Sequence, residues 1–204
     1  TYNDGNVSKF DKNQFNITSN NYEKLLSEKN IYIIKSSVQI KPDSFLQECV
    51  ESEYFVSLAQ SYLDTKKISA NCTIFFSNNI DNKSNKNQLF SKAAQKYHFD
   101  IDYKKFFKIL IYFTDVDVVQ NGAHIYIPTT HRKKIRQHQI TQRFEDNEIE
   151  NMYPKKKVFI GKKGTFFFVD TFGFHKGSPI TIKPRVAAFI EYGYGHFELT
   201  KNTI

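Results

Sequence analysis

The chain has 204 residues, 40% of them hydrophobic and 25% charged, with a formal net charge of +8 and a pI near 9.3. That length suits one domain with a sizeable core, and the absence of any run of about 18 apolar residues excludes a membrane-spanning helix among the expectations. Cys49 and Cys72 are too few for a disulfide framework and lie at no metal-binding spacing, so they read as reduced thiols of an intracellular, cytoplasmic protein. No signal-peptide pattern is present, and a start at Thr1 rather than methionine leaves a removed leader open. Sequons at Asn6, Asn16, Asn71 and Asn82 are read as accidents of an Asn-rich chain.

Residues 1 to about 20 are polar and Asn-rich and read as a loosely held arm. Segments 20–29 and 42–62 carry apolar residues at helical spacing; in the second, Phe45, Leu46, Cys49, Val50, Tyr54, Leu58 and Ala59 share one face. Residues 31–34 suggest a short strand between them, and the polar stretch 78–87 a loop. From Cys72 onward the pattern turns to strands, expected over 72–77, 95–101, 106–114, 122–127, 157–161, 165–169, 173–176 and 185–193. The 20 Phe and 12 Tyr suit such a sheet-rich chain, since aromatic rings pack well on a pleated, half-buried surface. No repeat or linker divides the chain. The expectation is a single domain over 1–204, with 1–70 mostly helical and 71–195 a β core.

One pattern carries chemistry. His98-Phe99-Asp100 is followed by His175 and, ten residues on, by Arg185. In a strand, residues i and i+2 point to one face, so His98 and Asp100 can converge while Phe99 packs outward. Two histidines and a carboxylate form the facial donor set of non-haem Fe(II) oxygenases. An arginine downstream supplies a fork for a dicarboxylate; without that ligand a buried Arg185 would need an acid, and Glu191 on its own strand is the obvious candidate. A second triplet, His196-Phe197-Glu198, has no histidine after it and cannot complete a site in the same order. On the 106–114 strand, Phe106, Lys108, Leu110 and Tyr112 make a mixed face suited to a pocket wall. Phe107, Ile109, Ile111 and Phe113 make an apolar face suited to packing against helices. Arg185, Ala187 and Phe189 share another face, with small Ala187 leaving room for a carbon chain.

Four blocks set the motif in context: Gln95-Lys96-Tyr97-His98-Phe99-Asp100-Ile101-Asp102; Phe107 to Asp117; Asn121-Gly122-Ala123-His124-Ile125-Tyr126-Ile127-Pro128-Thr129-Thr130-His131-Arg132; and Gly161 to Asp170 running on to His175-Lys176-Gly177-Ser178 and Pro184-Arg185. In this order and spacing the chain resembles the phytanoyl-CoA dioxygenase family of Fe(II)- and 2-oxoglutarate-dependent oxygenases, over roughly residues 55 to 195. The resemblance implies a double-stranded β-helix, a cupin-like jelly roll flanked by N-terminal helices. It implies His98, Asp100 and His175 as iron ligands and catalytic centre, Arg185 as partner of the distal 2-oxoglutarate carboxylate, and Lys108 as a second cosubstrate contact. The implied cofactors are Fe(II) and 2-oxoglutarate, with O2 as oxidant and ascorbate in support. Where the family usually has Gly-Ser-His, this chain has Thr129-Thr130-His131, a changed turn that keeps the hydroxyl and the histidine. Asp100 also argues against the halogenating relatives, which leave that ligand position empty.

Tyr97, Tyr126 and His131 are the expected substrate-pocket residues, and His124 reads as structural. Ten basic residues between Arg132 and Lys163 suggest either a cationic lid that steers in an anionic small molecule or a solvated, disordered loop. The expected activity is hydroxylation of a small, anionic acyl-, sugar- or nucleotide-linked metabolite. A non-catalytic jelly-roll binding module, a nucleic-acid-directed oxygenase and a zinc hydrolase remain alternatives. The absence of a recognised nucleic-acid motif counts against a nucleic-acid partner. Oligomeric state is not readable from the sequence.

Overall fold

The computed structural model describes residues 45–78, 94–102, 105–134 and 143–194 in full, together with the backbone pairing of four short strands outside them. Among the described residues, two helices come first, α1 (Phe45–Val50) and α2 (Glu53–Leu63), and a third, α3 (Asp146–Met152), follows later. An eight-stranded sheet runs β1 (Asn3–Asp4), β2 (Val7–Lys9), β3 (Ile33–Ser37), β4 (Ser69–Ser77), β10 (Arg185–Gly193), β5 (Phe106–Tyr112) and β8 (Phe166–Val169), with β11 (Asn202–Thr203) also pairing β4. A smaller sheet runs β7 (Lys157–Phe159), β6 (His124–Tyr126) and β9 (His175–Gly177). All pairings are antiparallel except that of β2 with β3. The chain is mainly β and folds as a double-stranded β-helix, as the motif order implied.

Three apolar layers hold the sheets. The outer face of the large sheet buries Cys72, Phe107, Ile109, Ile111, Ala188, Ile190 and Tyr192 under Val50, Phe55, Ala59 and Leu63 of the two helices. The alternation along β5 thus sends its purely apolar face to the helices, as expected. The larger of these side chains, such as Ile109, Ile190 and Leu63, contribute roughly 1.5–3 kcal/mol each when fully buried. The outer face of the small sheet buries Tyr97, Phe99, Ile125, Ile127 and Phe174 with Phe144 and Ile149. Between the sheets lie Leu110, Tyr112, Val169 and Ala187. Both cysteines are free, and Cys72 is buried in the first layer. No helix of the described residues is long and apolar enough to cross a membrane.

Four expectations change. The helix expected over 42–62 breaks at Glu51–Ser52 into α1 and α2, which lets Val50 and the Phe55, Ala59, Leu63 row enter the same core. The arm expected over 1–20 contributes β1 and β2 to the large sheet. Instead of a regular strand over 95–101, Tyr97 and His98 make isolated bridges to Phe144 and His175. The basic stretch is no disordered loop over 143–163, because Phe144 and Ile149 anchor α3 on the small sheet and β7 pairs with β6. The helix expected over 20–29, most of the 78–87 loop and the His196 triplet lie outside the described residues.

Candidate metal centre

The two motif histidines are cross-strand neighbours. His98 donates its backbone N–H to the His175 carbonyl at 3.0 Å and accepts the reciprocal bond at 2.8 Å. A directly opposed pair shares one face of the sheet, and the imidazole centroids stand 4.3 Å apart. Asp100, two residues on, joins them; its own N–H is held by the Thr171 carbonyl at 2.8 Å. One ligand atom from each of His98, Asp100 and His175 lies within 4.8 Å of the others.

The tautomers are set by backbone carbonyls. His98 Nδ1 lies 2.9 Å from the Lys96 carbonyl oxygen and His175 Nδ1 3.0 Å from that of Gly173. A carbonyl only accepts, so each Nδ1 carries the proton and each Nε2 keeps a lone pair. Those Nε2 atoms face Asp100, at 3.9 Å from Oδ1 for His98 and 3.7 Å from Oδ2 for His175. Burial holds both imidazoles below their ordinary value, so they are neutral, the form that binds a metal. Burial alone would raise the Asp100 carboxyl, but positive charge on His175, Lys108 and His98 holds it well below the usual carboxylate range; with both imidazoles neutral, the Lys108 ammonium is what keeps it ionised.

Lys108 lies on the pocket-facing side of β5, as expected, and is a node for three carboxylates. Its ammonium, 7% exposed, donates to Asp100 at 2.9 Å and Asp102 at 2.6 Å, and ion-pairs with Glu191 at 2.6 Å. Glu191 is its register partner on β10. Burial disfavours the ammonium, yet Asp100, Glu191 and Asp102 together raise its pKa. With three carboxylates on its three protons, Lys108 holds Asp100, a candidate metal ligand, in place. Glu191 is thereby engaged with Lys108 as well. Burial pushes the Glu191 carboxyl up to about 7 against the pull of Lys108. One ammonium among three carboxylates leaves an excess of negative charge, and a divalent cation at the triad would balance it. The donor set, tautomers and charge all fit iron.

Arg185 sits at the start of β10, in the large sheet that faces the triad, and its Nη1 donates to the Gly122 carbonyl. Gly122 has φ +80°, and a Cβ there would lie 2.7 Å from Ile180 and 3.3 Å from Arg185 Cδ, so glycine is required for this approach. The register partner of Arg185 is Ser77, which is buried with its hydroxyl unpartnered. A guanidinium and a spare hydroxyl on one sheet face suit a carboxylate.

Tyr126 pairs with His175 across the small sheet, and its hydroxyl lies 3.1 Å from His131 Nδ1, so these two expected pocket residues meet beside the triad. Tyr97 is a correction. It alternates with His98, lies in the outer cluster at 0% exposure and donates to Glu150 at 2.9 Å, away from the pocket. Thr129 holds φ +71° where the family usually has glycine, a strain of about 1–2 kcal/mol for a β-branched residue. Thr130 keeps the bracket: its hydroxyl donates to the Ile127 carbonyl at 2.7 Å and accepts from the Phe174 N–H at 2.8 Å. Arg143, just before α3, was not singled out; its charge helps lower both histidines. Only its place in the basic stretch hinted at it.

The metal-free protein should lose stability on acidification. His98, His124 and His175 have folded pKa values depressed below 6.5, so the unfolded chain takes up protons there and the folded one does not. Glu191 works in the opposite sense between 4.5 and about 7, where the folded state holds the extra proton. Three histidines against one carboxyl leave a net loss of roughly 2–3 kcal/mol per pH unit below about pH 6.5, at most. Urea denaturation of metal-free protein at several pH values measures it; stability flat between pH 7 and 5 would contradict the assignment.

A double-stranded β-helix with two histidines and one carboxylate converging from hydrogen-bonded neighbouring segments defines the class. The chain belongs to the phytanoyl-CoA dioxygenase (PhyH) family, whose model matches residues 11–187. Among solved structures it is similar to the non-haem α-ketoglutarate-dependent carbocyclase SnoK from nogalamycin biosynthesis (14% identity, TM-score 0.57, covering 86% of this chain and 76% of SnoK). It is similar to the epimerase SnoN in complex with Fe3+, α-ketoglutarate and nogalamycin RO (11%, TM-score 0.56, 87% and 76%). HygX from Streptomyces hygroscopicus with nickel and 2-oxoglutarate bound also resembles it (10%, TM-score 0.55, 89% and 80%). Against another SnoN structure the match spans 56% of that chain. Identities this low carry the fold alone. No curated protein matches the sequence.

Proposed function

We propose that this protein is an Fe(II)- and 2-oxoglutarate-dependent oxygenase that hydroxylates a small, anionic metabolite. The carrying observation is the convergence of His98, Asp100 and His175, with one ligand atom each within 4.8 Å of the others. Iron with 2-oxoglutarate and O2 supplies the oxidising power: the cosubstrate leaves as succinate and CO2, and one oxygen atom enters a substrate C–H bond. The protein's part is to bind and orient. His98, Asp100 and His175 hold the metal, and Arg185 with Ser77 takes the distal carboxylate. Lys108 holds Asp100 in place. Tyr126 and His131 face the substrate. SnoN and HygX, which carry 2-oxoglutarate on the same fold, support the cosubstrate. Arg143, whose positive charge acts on the triad, supports an anionic substrate.

The test is anaerobic Fe(II) titration with and without 2-oxoglutarate, following the metal-to-ligand charge-transfer band. The band should appear in the wild type and vanish in His175→Ala. Arg185→Ala should weaken 2-oxoglutarate binding by about 100-fold, the scale of losing a bidentate charge-assisted contact of roughly 3 kcal/mol. No band at saturating iron would remove the oxygenase reading in favour of a binding module or another metal.

A further inference from the structure

We infer that His124 is a cosubstrate-binding residue, donating from Nε2 to bound 2-oxoglutarate in the space between the triad and Arg185. This rests on the oxygenase reading above and adds a contact to it.

His124 lies on β6, two residues before Tyr126, so its side chain enters the same inter-sheet space as the triad. It is 4% exposed, and its Nε2 atom is fully buried with no hydrogen-bond partner. The rings around it are Phe159 at 5.6 Å and Phe189 at 5.8 Å, which carry no hydrogen-bonding group, and His175 at 5.3 Å between centroids, whose Nδ1 is engaged by the Gly173 carbonyl. An aromatic-lined position of this kind suits leucine better than an imidazole, because a buried polar nitrogen left unpaired is costly. His124 is therefore either a standing defect or a group awaiting a partner.

Its location says which partner. On one side stands His175, a member of the triad; on the other, Arg185, close enough for its charge to act on the His124 ring. Phe189 and Ala187, on the same face of β10 as Arg185, line the opposing wall. A dicarboxylate running from the metal to Arg185 passes this nitrogen. His124 is outside the cluster of mutually close ligand atoms, so it is not one of the metal's ligands. The backbone around it is pinned: the His124 N–H donates to the Tyr112 hydroxyl at 3.0 Å, and that hydroxyl donates to the Phe159 carbonyl at 2.9 Å. The imidazole is thus presented at a fixed depth, and the contact inferred requires its Nε2–H tautomer.

The experiment compares His124→Leu and His124→Gln in the anaerobic Fe(II) and 2-oxoglutarate titration, with metal-free stability as a second measurement. Leucine removes the donor and keeps the volume apolar; glutamine places an N–H near the position of Nε2. His124→Leu should raise the 2-oxoglutarate dissociation constant about 10- to 100-fold, leave Fe(II) affinity unchanged and be at least as stable as the wild type without metal. His124→Gln should recover most of the affinity. An unchanged 2-oxoglutarate constant in His124→Leu with normal iron binding overturns the inference and leaves the oxygenase reading intact. Loss of iron binding in both variants overturns it too, by making His124 a ligand or a fold determinant. A wild type without the charge-transfer band sinks the oxygenase reading itself. Should the leucine variant not fold, His124→Met carries the same comparison.

Discussion

Lys108→Met is expected to destabilise the metal-free protein by about 3–5 kcal/mol near pH 8, the scale of stranding buried charge by deleting its partner. The methionine fills most of the lysine's volume, so a cavity is not the cause. What is lost is the one cation shared by Asp100, Asp102 and Glu191, each within 2.9 Å of it. The three carboxylates do not suffer equally. Asp102 is 44% exposed at its side chain and keeps water, whereas Glu191 is 12% exposed and Asp100 24%. The loss therefore falls mainly on Glu191 and Asp100. Glu191 already titrates near 7 because of burial, and without Lys108 it would hold its proton still more tightly. Acidification to pH 6 neutralises it, so the deficit relative to wild type should shrink there. Fe(II) should also recover part of the loss by supplying positive charge beside Asp100. Paired urea titrations at pH 8 and pH 6, with and without Fe(II), measure all of this. A deficit below about 1 kcal/mol at pH 8, the range of an exposed ion pair, would show that the cluster is solvated rather than buried.

The distribution of these residues shows what a one-dimensional pattern can and cannot carry. The i, i+2 spacing of His98 and Asp100 names the face they share, and the apolar rows of β5 and β10 are periodic enough that β10 was bounded at both ends. The same periodicity cannot see a two-residue break such as Glu51–Ser52, because helix faces on either side of it both read as apolar. Nor does α3 announce itself: Asp146 to Met152 is polar apart from Ile149 and Met152, and only contact with Phe144 and Tyr153 on the small sheet makes it worth folding. Tyr97, expected in the pocket lining, is adjacent to His98, and adjacent extended residues point to opposite faces. The structural reading of His124 has a different source. Its strand spans three residues, too short for alternation to establish a face, and the missing partner at Nε2 is a property of the surroundings. Lys108 was placed on the correct wall, but which carboxylates reach it depends on the pairing of β5 with β10 and on the turn after Asp100.

Asp100→Asn should separate the two duties that meet at this carboxylate. As a ligand, Asp100 supplies the only negative charge in the donor set, and asparagine offers at best a neutral carbonyl oxygen. Iron affinity should fall by more than about 100-fold, beyond the 10- to 100-fold typical of disturbing a supporting hydrogen bond. Uncoupled 2-oxoglutarate decarboxylation, read as succinate formed without primary substrate, should drop below detection. As a neighbour of Lys108, Asp100 is one of three anions, so its neutralisation removes charge from an over-acidic cluster. Asn Oδ1 can still accept from the ammonium, which keeps Glu191 and Asp102. The backbone tie from residue 100 to the Thr171 carbonyl is untouched. Because the Asp100 carboxyl is held below its usual range in the fold, its charge is stabilising there, so the metal-free variant should lose part of the wild-type stability, whereas Lys108→Met should lose more yet still bind iron. The double variant gives the coupling directly. With Asp100 neutral, deletion of Lys108 should cost less than it does alone, because fewer stranded anions remain. If Asp100→Asn unfolds as readily as Lys108→Met, the carboxylate is a structural anchor first. If it binds iron normally, the ligand assignment is wrong and the metal must be held by other donors.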